Sequence, residues 1–206
     1  MSQYDTERVS SDLLPKVGSR WCEYEKKALE IRRLVGARSQ DRFDPYQLAN
    51  ILKFKIIRFS QVDGLPDHVR QQIITHNQWS GAAIEIPHDG TKLIIINDLH
   101  SHRRQRATLM EEICHLILGH QPSKLNYAET GHGSASDSTV GRTYHHQTEE
   151  EAYAIGAATL VPFKPLRDLL QSGLDVKTIA DRFDVSVQLV NYRIRVAGLQ
   201  SDSFSG

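Results

Sequence analysis

Residues Glu111-Glu112-Ile113-Cys114-His115 set acidic and imidazole groups at the spacing that a hydrolytic metal site uses on a helix. In the HExxH pattern of zinc proteases, two histidines four apart lie about 40° from alignment at ~100° per residue, so both reach one ion. The glutamate after the first histidine takes a proton from the attacking water. Here Glu111 stands at the first ligand position, where a histidine is expected; Glu112 stands at the base position and His115 at the second ligand position. A carboxylate oxygen binds zinc at about 2.0–2.2 Å, so the exchange alters the donor without removing it.

Such a helix supplies two ligands, so a third must come from elsewhere while one position stays open for water. Glu151 is the candidate third ligand, because it opens a second helix after a glycine-rich loop. The plainer reading stands beside it: Thr148-x-x-Glu151 is also a capping box, and the acids 149–151 suit the positive end of a helix dipole. In the loop, His132, His145 and His146 could replace the missing imidazole, steady a tetrahedral oxyanion or simply be solvated. Of these His146, nearest to Glu151, is the candidate catalytic histidine. His120 follows His115 by five positions, about 140° round a helix, and cannot share its ion unless the helix ends first. A cation at a helix C-terminus is its simpler role. Cys114 points away from the 111/115 face and is expected in the core. Glu129-x-x-His132 repeats the spacing of Glu112-x-x-His115, as in two-iron carboxylate proteins, but it lies in the glycine-rich loop rather than on a facing helix.

The elements that must position these groups are readable in outline. Residues 1–18 are polar and aperiodic and read as a flexible arm; 200–206 read as a disordered tail. Ser19 is placed to cap a helix that Gly36 closes, and Asp44-Pro45 opens a shorter one. Phe54–Phe59, Ala82–Ile86 and Leu93–Ile96 are short β-branched or aromatic runs, the last two joined by the turn signal Pro87-His88-Asp89-Gly90, which together predict a small antiparallel sheet. A helix is predicted over Pro66–His76, another from about Ser101 to Leu118 that carries the motif, and another from Thr148 to Leu160. The alanines and Gly156 of that last helix would let a partner helix approach closely. Two further helices, 176–183 and 187–196, joined by Asp184-Val185-Ser186, form a helix-turn-helix-like unit.

In its motifs and their order the chain resembles the ImmA/IrrE family of metallo-endopeptidases. There a strand ending in asparagine leads to an arginine-rich helix start, HExxH, an apolar turn with Gly-His, and then a helix of the type Glu-Ala-Asn-x-Phe-Ala-Ala-x-Leu-Leu-Met-Pro. The matching segments here are Ile96-Asn97, Arg104-Gln105-Arg106, Glu111–His115, Gly119-His120 and Glu151–Pro162, within a likeness running from about Asp44 to Leu199. The resemblance implies metal ligation by Glu111, His115 and Glu151, Glu112 as general base, Zn2+ as cofactor, and cleavage of a protein substrate, a repressor-type DNA-binding regulator, in the cytoplasm. Two carboxylates with one imidazole make a harder, more anionic set that also tolerates Mn2+ or Fe2+ and weakens Lewis acidity, which predicts slow or narrowly regulated hydrolysis.

Composition bounds the alternatives. Lys plus Arg and Asp plus Glu balance at 25 each, which gives no whole-protein attraction to nucleic acid or membrane. In the C-terminal unit Gln188, Asn191, Tyr192, Arg193 and Arg195 could face DNA, but Asp175, Asp181 and Asp184 flank them, so direct DNA binding is not expected. Two cysteines, no apolar leader and no membrane-length run fit a reducing cytoplasm. The sequence thus predicts an α+β fold in which a small antiparallel sheet packs on metalloprotease-like helices: a metallopeptidase-like domain over 19–163 and a helix-turn-helix-like module over 164–199. The alternative function is a catalytically weak, peptidase-like regulator that binds a partner protein or DNA.

Overall fold

Helix α1 (Ser19–Leu34) starts with Gly18 at the cap position, so Ser19 is its first helical residue rather than its cap. Gly36 ends it as expected: at φ 67° it adopts the left-handed conformation that lets Ala37 N–H reach Arg32 O at 3.1 Å. In α2 (Pro45–Ile51) the Asp44 carboxylate accepts from Tyr46 N–H at 3.0 Å, and proline occupies the first turn, where its missing N–H costs nothing. The computed structural model describes residues 11–15, 18–76, 79–86, 88–120 and 146–199. Most of the arm expected over 1–18, the tail expected over 200–206, and loop residues His132 and His145 lie outside the described residues.

The chain is α+β, as its patterning predicts. Strands β1 (Lys55–Arg58), β2 (Gly81–Glu85) and β3 (Lys92–Ile96) form one sheet in the order β1-β3-β2. The sheet is mixed rather than wholly antiparallel: β2 and β3 pair as the expected hairpin, whereas β1 runs parallel to β3, Ile56 opposite Ile94. The connection explains the difference. A parallel pairing needs a long crossover, and residues 59–91, containing helix α3 (Asp67–His76) and β2, supply it; apolar composition alone carries no information on strand direction. On central strand β3, Ile94 and Ile96 are buried against α4 (His102–Ile117). Gly81 lies so close to that helix that a Cβ there would come within 2.7 Å of Thr108 Cγ2.

Helix α5 (His146–Leu160) is lined with Ala152, Ala154, Gly156, Ala157 and Ala158, all buried, and packs between α1 and α4. A Cβ on Gly156 would sit 3.4 Å from Glu111 N and 3.5 Å from Met110 C, so the two helix backbones are nearly in contact there, as the run of small residues implies. Helices α6 (Phe163–Gln171), α7 (Val176–Phe183) and α8 (Val187–Val196) follow. Asp175 caps α7 through Lys177 and Thr178 N–H, and Ser186 caps α8 through Leu189 N–H. Ile179, Phe183, Leu189 and Val190 of these helices, with Val185 of the turn between α7 and α8, join the same core as Ala28, Leu109, Ile113 and Ile155. The junction is also stitched by charge: Arg106 Nη2 donates to Phe43 O at 2.5 Å and its Nε to Asp184 O at 3.2 Å, while Arg42 and Arg103 pair with the Asp184 carboxylate. Among the described residues no helix is long and apolar enough to cross a membrane.

Candidate metal centre

The close approach at Gly156 fixes what lies beside it. Gly156 lies against Glu111 while Glu149, in the first turn of α5, lies against His115, so α4 and α5 run antiparallel. Seven residues before Gly156, about 20° from alignment with it, stands Glu149. One ligand atom each from Glu111, His115 and Glu149 lie within 4.8 Å of one another, all three residues being half-buried. His115 Nε2 is 3.5 Å from Glu149 Oε2, close to the ~3.4 Å edge of a tetrahedron whose bonds are about 2.1 Å.

The structure brings together two of the three residues expected as ligands, Glu111 and His115, and adds Glu149. Glu151 is two positions further on, about 200° round the helix. Its carboxylate accepts from Lys27 Nζ at 2.7 Å and lies 3.5 Å from His120 Nε2. Hydrogen bonding and charge from Lys27 and His120 outweigh the effect of burial, which acts the other way, and hold its pKa below the usual glutamate value. The sequence pointed to Glu151 rather than Glu149, although the small residues Ala152 and Gly156 of the buried face lie nearer in phase to 149, and 151 is about 140° from Gly156.

His120 meets the condition that its spacing imposed. The helix ends at Ile117, Gly119 turns at φ 69°, and His120 N–H bonds back to His115 O at 3.0 Å. That folds the His120 ring edge-on to His115, with Nδ1 to Nδ1 at 3.1 Å. Glu112 is half-buried, and its charge helps to raise the His115 pKa. Burial, the largest single effect on His115, acts downward, but the Glu149 hydrogen bond and the charges of Glu112, Glu149 and Glu111 prevail. His146 begins α5, exposed and outside the group of three. Cys114 is wholly buried, and desolvation pushes its thiol pKa up, consistent with a packing role. Tyr153 lies near Glu111, whose charge joins burial in raising the phenol pKa, and its ring packs on Tyr192 at 4.8 Å between centroids.

The family model of the M78 peptidases, described as the IrrE N-terminal-like domain, matches residues 63–195. The chain belongs to this family. The matched span takes in α4 and α5 whole and runs into the last turn of α8. No curated protein matches the chain significantly. The M78 family points to a metallopeptidase, and the donor set, two carboxylates and an imidazole from two helices, is of a kind that suits a divalent cation.

Proposed function

We propose that this M78 chain is a metal-dependent endopeptidase in which Glu111, His115 and Glu149 hold the cation and Glu112 is the general base. The observation that supports it is the convergence of three donors from α4 and α5, next to Glu112, within a chain of this family. A bound divalent cation, Zn2+ first and Mn2+ or Fe2+ as alternatives for so anionic a set, would supply the Lewis acidity that polarises a scissile carbonyl and acidifies water. Glu112 takes a proton from the attacking water as its oxygen bonds to the carbonyl carbon. The same carboxyl then delivers that proton to the departing amine nitrogen as the C–N bond breaks. The α4–α5 seam orients both events, since its small residues keep the backbones too close for the donors to drift.

The protein substrate we infer is a repressor-type DNA-binding regulator cleaved in the cytoplasm, the role implied by the likeness to ImmA/IrrE peptidases. Direct DNA binding by this chain has little support, because Arg193 is buried against Glu25 and Arg103 is engaged by Asp181 and Asp184. One observation favours a second reading, a slow or inactive peptidase-like regulator: Glu111 replaces an imidazole donor with a carboxylate. The two are separated by metal content measured by mass spectrometry together with cleavage of candidate regulators by the wild type and Glu112→Gln. Stoichiometric metal and cleavage lost in Glu112→Gln support the endopeptidase. Stoichiometric metal with cleavage unchanged in that variant removes Glu112 from the mechanism.

A further inference from the structure

Behind His115 stands a second group of polar side chains that the proposed chemistry does not use. His115 directs Nε2 toward Glu149, so Nδ1 is its far nitrogen, and that atom is 3.1 Å from His120 Nδ1. His120 in turn presents Nε2 to Glu151 Oε2 at 3.5 Å, and Glu151 Oε1 accepts from Lys27 Nζ at 2.7 Å. The His120 side chain is 9% exposed, so little water competes for these contacts. Three elements contribute: the turn after α4, the second turn of α5, and α1.

Only one proton arrangement satisfies the chain with neutral rings. An imidazole that ligates through Nε2 has no proton there and carries it on Nδ1. His115 Nδ1–H therefore donates to His120 Nδ1, which must be an acceptor. The His120 proton then resides on Nε2 and points to the Glu151 carboxylate, whose other oxygen accepts from Lys27. Each link fixes the tautomer of the one before it, as a carboxylate does behind a metal-ligating histidine in other sites, here with a second imidazole interposed.

We propose that His120, Glu151 and Lys27 form a positioning relay that fixes the tautomer and ring plane of His115 for metal binding, a role that rests on the Glu111–His115–Glu149 ligand set. The His120 ring cannot join that set in the same geometry, because both of its nitrogens are engaged elsewhere.

The test is Co2+ titration of the full chain, reading the visible absorption of the bound ion and its affinity against a competing chelator. Circular dichroism melting of the metal-free variants checks the fold. His120→Ala is expected to bind Co2+ about 10–100-fold more weakly with an altered spectrum. His120→Gln, whose amide oxygen can accept the same hydrogen bond, recovers most of the loss. Glu151→Gln weakens binding in the same direction, and the double variant His120→Ala with Glu151→Gln is no worse than His120→Ala alone, since one chain is cut once. Should His120→Ala not fold, Lys27→Met at its part-exposed position gives the smaller loss of the same sign.

Wild-type affinity and spectrum in both His120→Ala and Glu151→Gln, with uptake abolished in Glu149→Gln, overturn the relay and leave the ligand set standing. Uptake intact in Glu149→Gln but abolished in Glu151→Gln overturns the ligand set and the relay with it. A wild-type chain that takes up no Co2+ overturns both.

Discussion

The two ends of helix α5 handle charge in opposite ways. At its C-terminal end each ionised group meets an internal partner. Arg32 donates to Thr159 O at 2.5 Å, Arg193 donates to Val161 O at 2.9 Å and to Glu25 Oε2 at 2.5 Å, and Glu25 Oε1 accepts from Phe163 N–H at 2.6 Å. Guanidinium groups at the negative end of the helix dipole also suit its field. At the N-terminal end, Glu149 and Glu151 join Glu111 and Glu112 of α4 around His115 and His120, and the acids are numerous enough to raise the His115 pKa despite its burial. The C-terminal cluster is closed on itself and holds the frame together. The N-terminal cluster concentrates negative potential on two nearly touching helices, an arrangement that a divalent cation from outside would complete.

If this contrast is right, changes at the two ends separate function from stability. The largest expected effect is at the acidic end: Glu112→Gln lowers turnover about 10²–10⁴-fold, the range for loss of a general base, with no change in melting temperature. Peptide-bond cleavage assayed beside differential scanning calorimetry checks both halves. At the other end Glu25→Ala leaves Arg193 buried without its carboxylate and costs about 3–5 kcal/mol, read by urea unfolding. Metal affinity of the folded fraction should be unchanged. A Glu25→Ala protein as stable as the wild type would show that the closed cluster is ornamental, and the contrast would fail.

Between the two ends lies Gly156, which couples them. Gly156→Val must push against Glu111 N and Met110 C, backbone atoms that cannot swing away, and is expected to cost about 1–3 kcal/mol and to weaken metal binding at once. Gly156→Ala meets the same atoms at 3.4–3.5 Å, and its gain in helix propensity, about 1 kcal/mol, offsets the tightness. Thermal melts with parallel metal titrations rank the pair; a valine variant that loses stability but keeps wild-type affinity would show that the seam does not position the ligands.

The parts of this molecule that the sequence discloses are those governed by local chemistry. Asp44 with Pro45 and Gly36 mark helix ends through bonds made within a few residues, and both behave accordingly. The helix that carries Glu111, Glu112 and His115 was legible for the same reason, because those residues are related by a single helical turn. What escaped were relations between elements. The parallel direction of β1 depends on where a 33-residue connection delivers the chain, residues 59 to 91, and no alternation within β1 records it. The grouping of Glu149 rather than Glu151 with the α4 donors depends on the phase of α5 against α4, set by Gly156 and not by the acids themselves. Arg193, legible as a possible DNA contact, is a core residue because α8 packs toward α1 and the end of α5.

The smallest effect extends the contrast to an acid of the frame that lies away from α5. Asp98, where β3 turns toward α4, accepts from Ser60 N–H at 3.0 Å and from Ser60 Oγ at 2.5 Å, joining that turn to the segment after β1. Desolvation by itself would raise the Asp98 pKa, but the two Ser60 hydrogen bonds, helped by the backbone N–H of Asp98 and the charge of Arg58, outweigh it and bring it below 3.8. A carboxyl whose pKa is lower in the folded than in the unfolded chain contributes stability in full above the unfolded value. That contribution fades as pH falls through the folded value, because the folded state then gives up an advantage held only by the ionised form. Ser60→Ala should therefore lower stability slightly at neutral pH and flatten its decline below 3.8, the difference between the two proteins vanishing in strong acid. Thermal melts recorded from neutrality down through that range measure it. If the variant and the wild type keep a constant separation at every pH, Asp98 is held by solvent rather than by Ser60, and acids of the frame do not differ in kind from those of the α4–α5 seam.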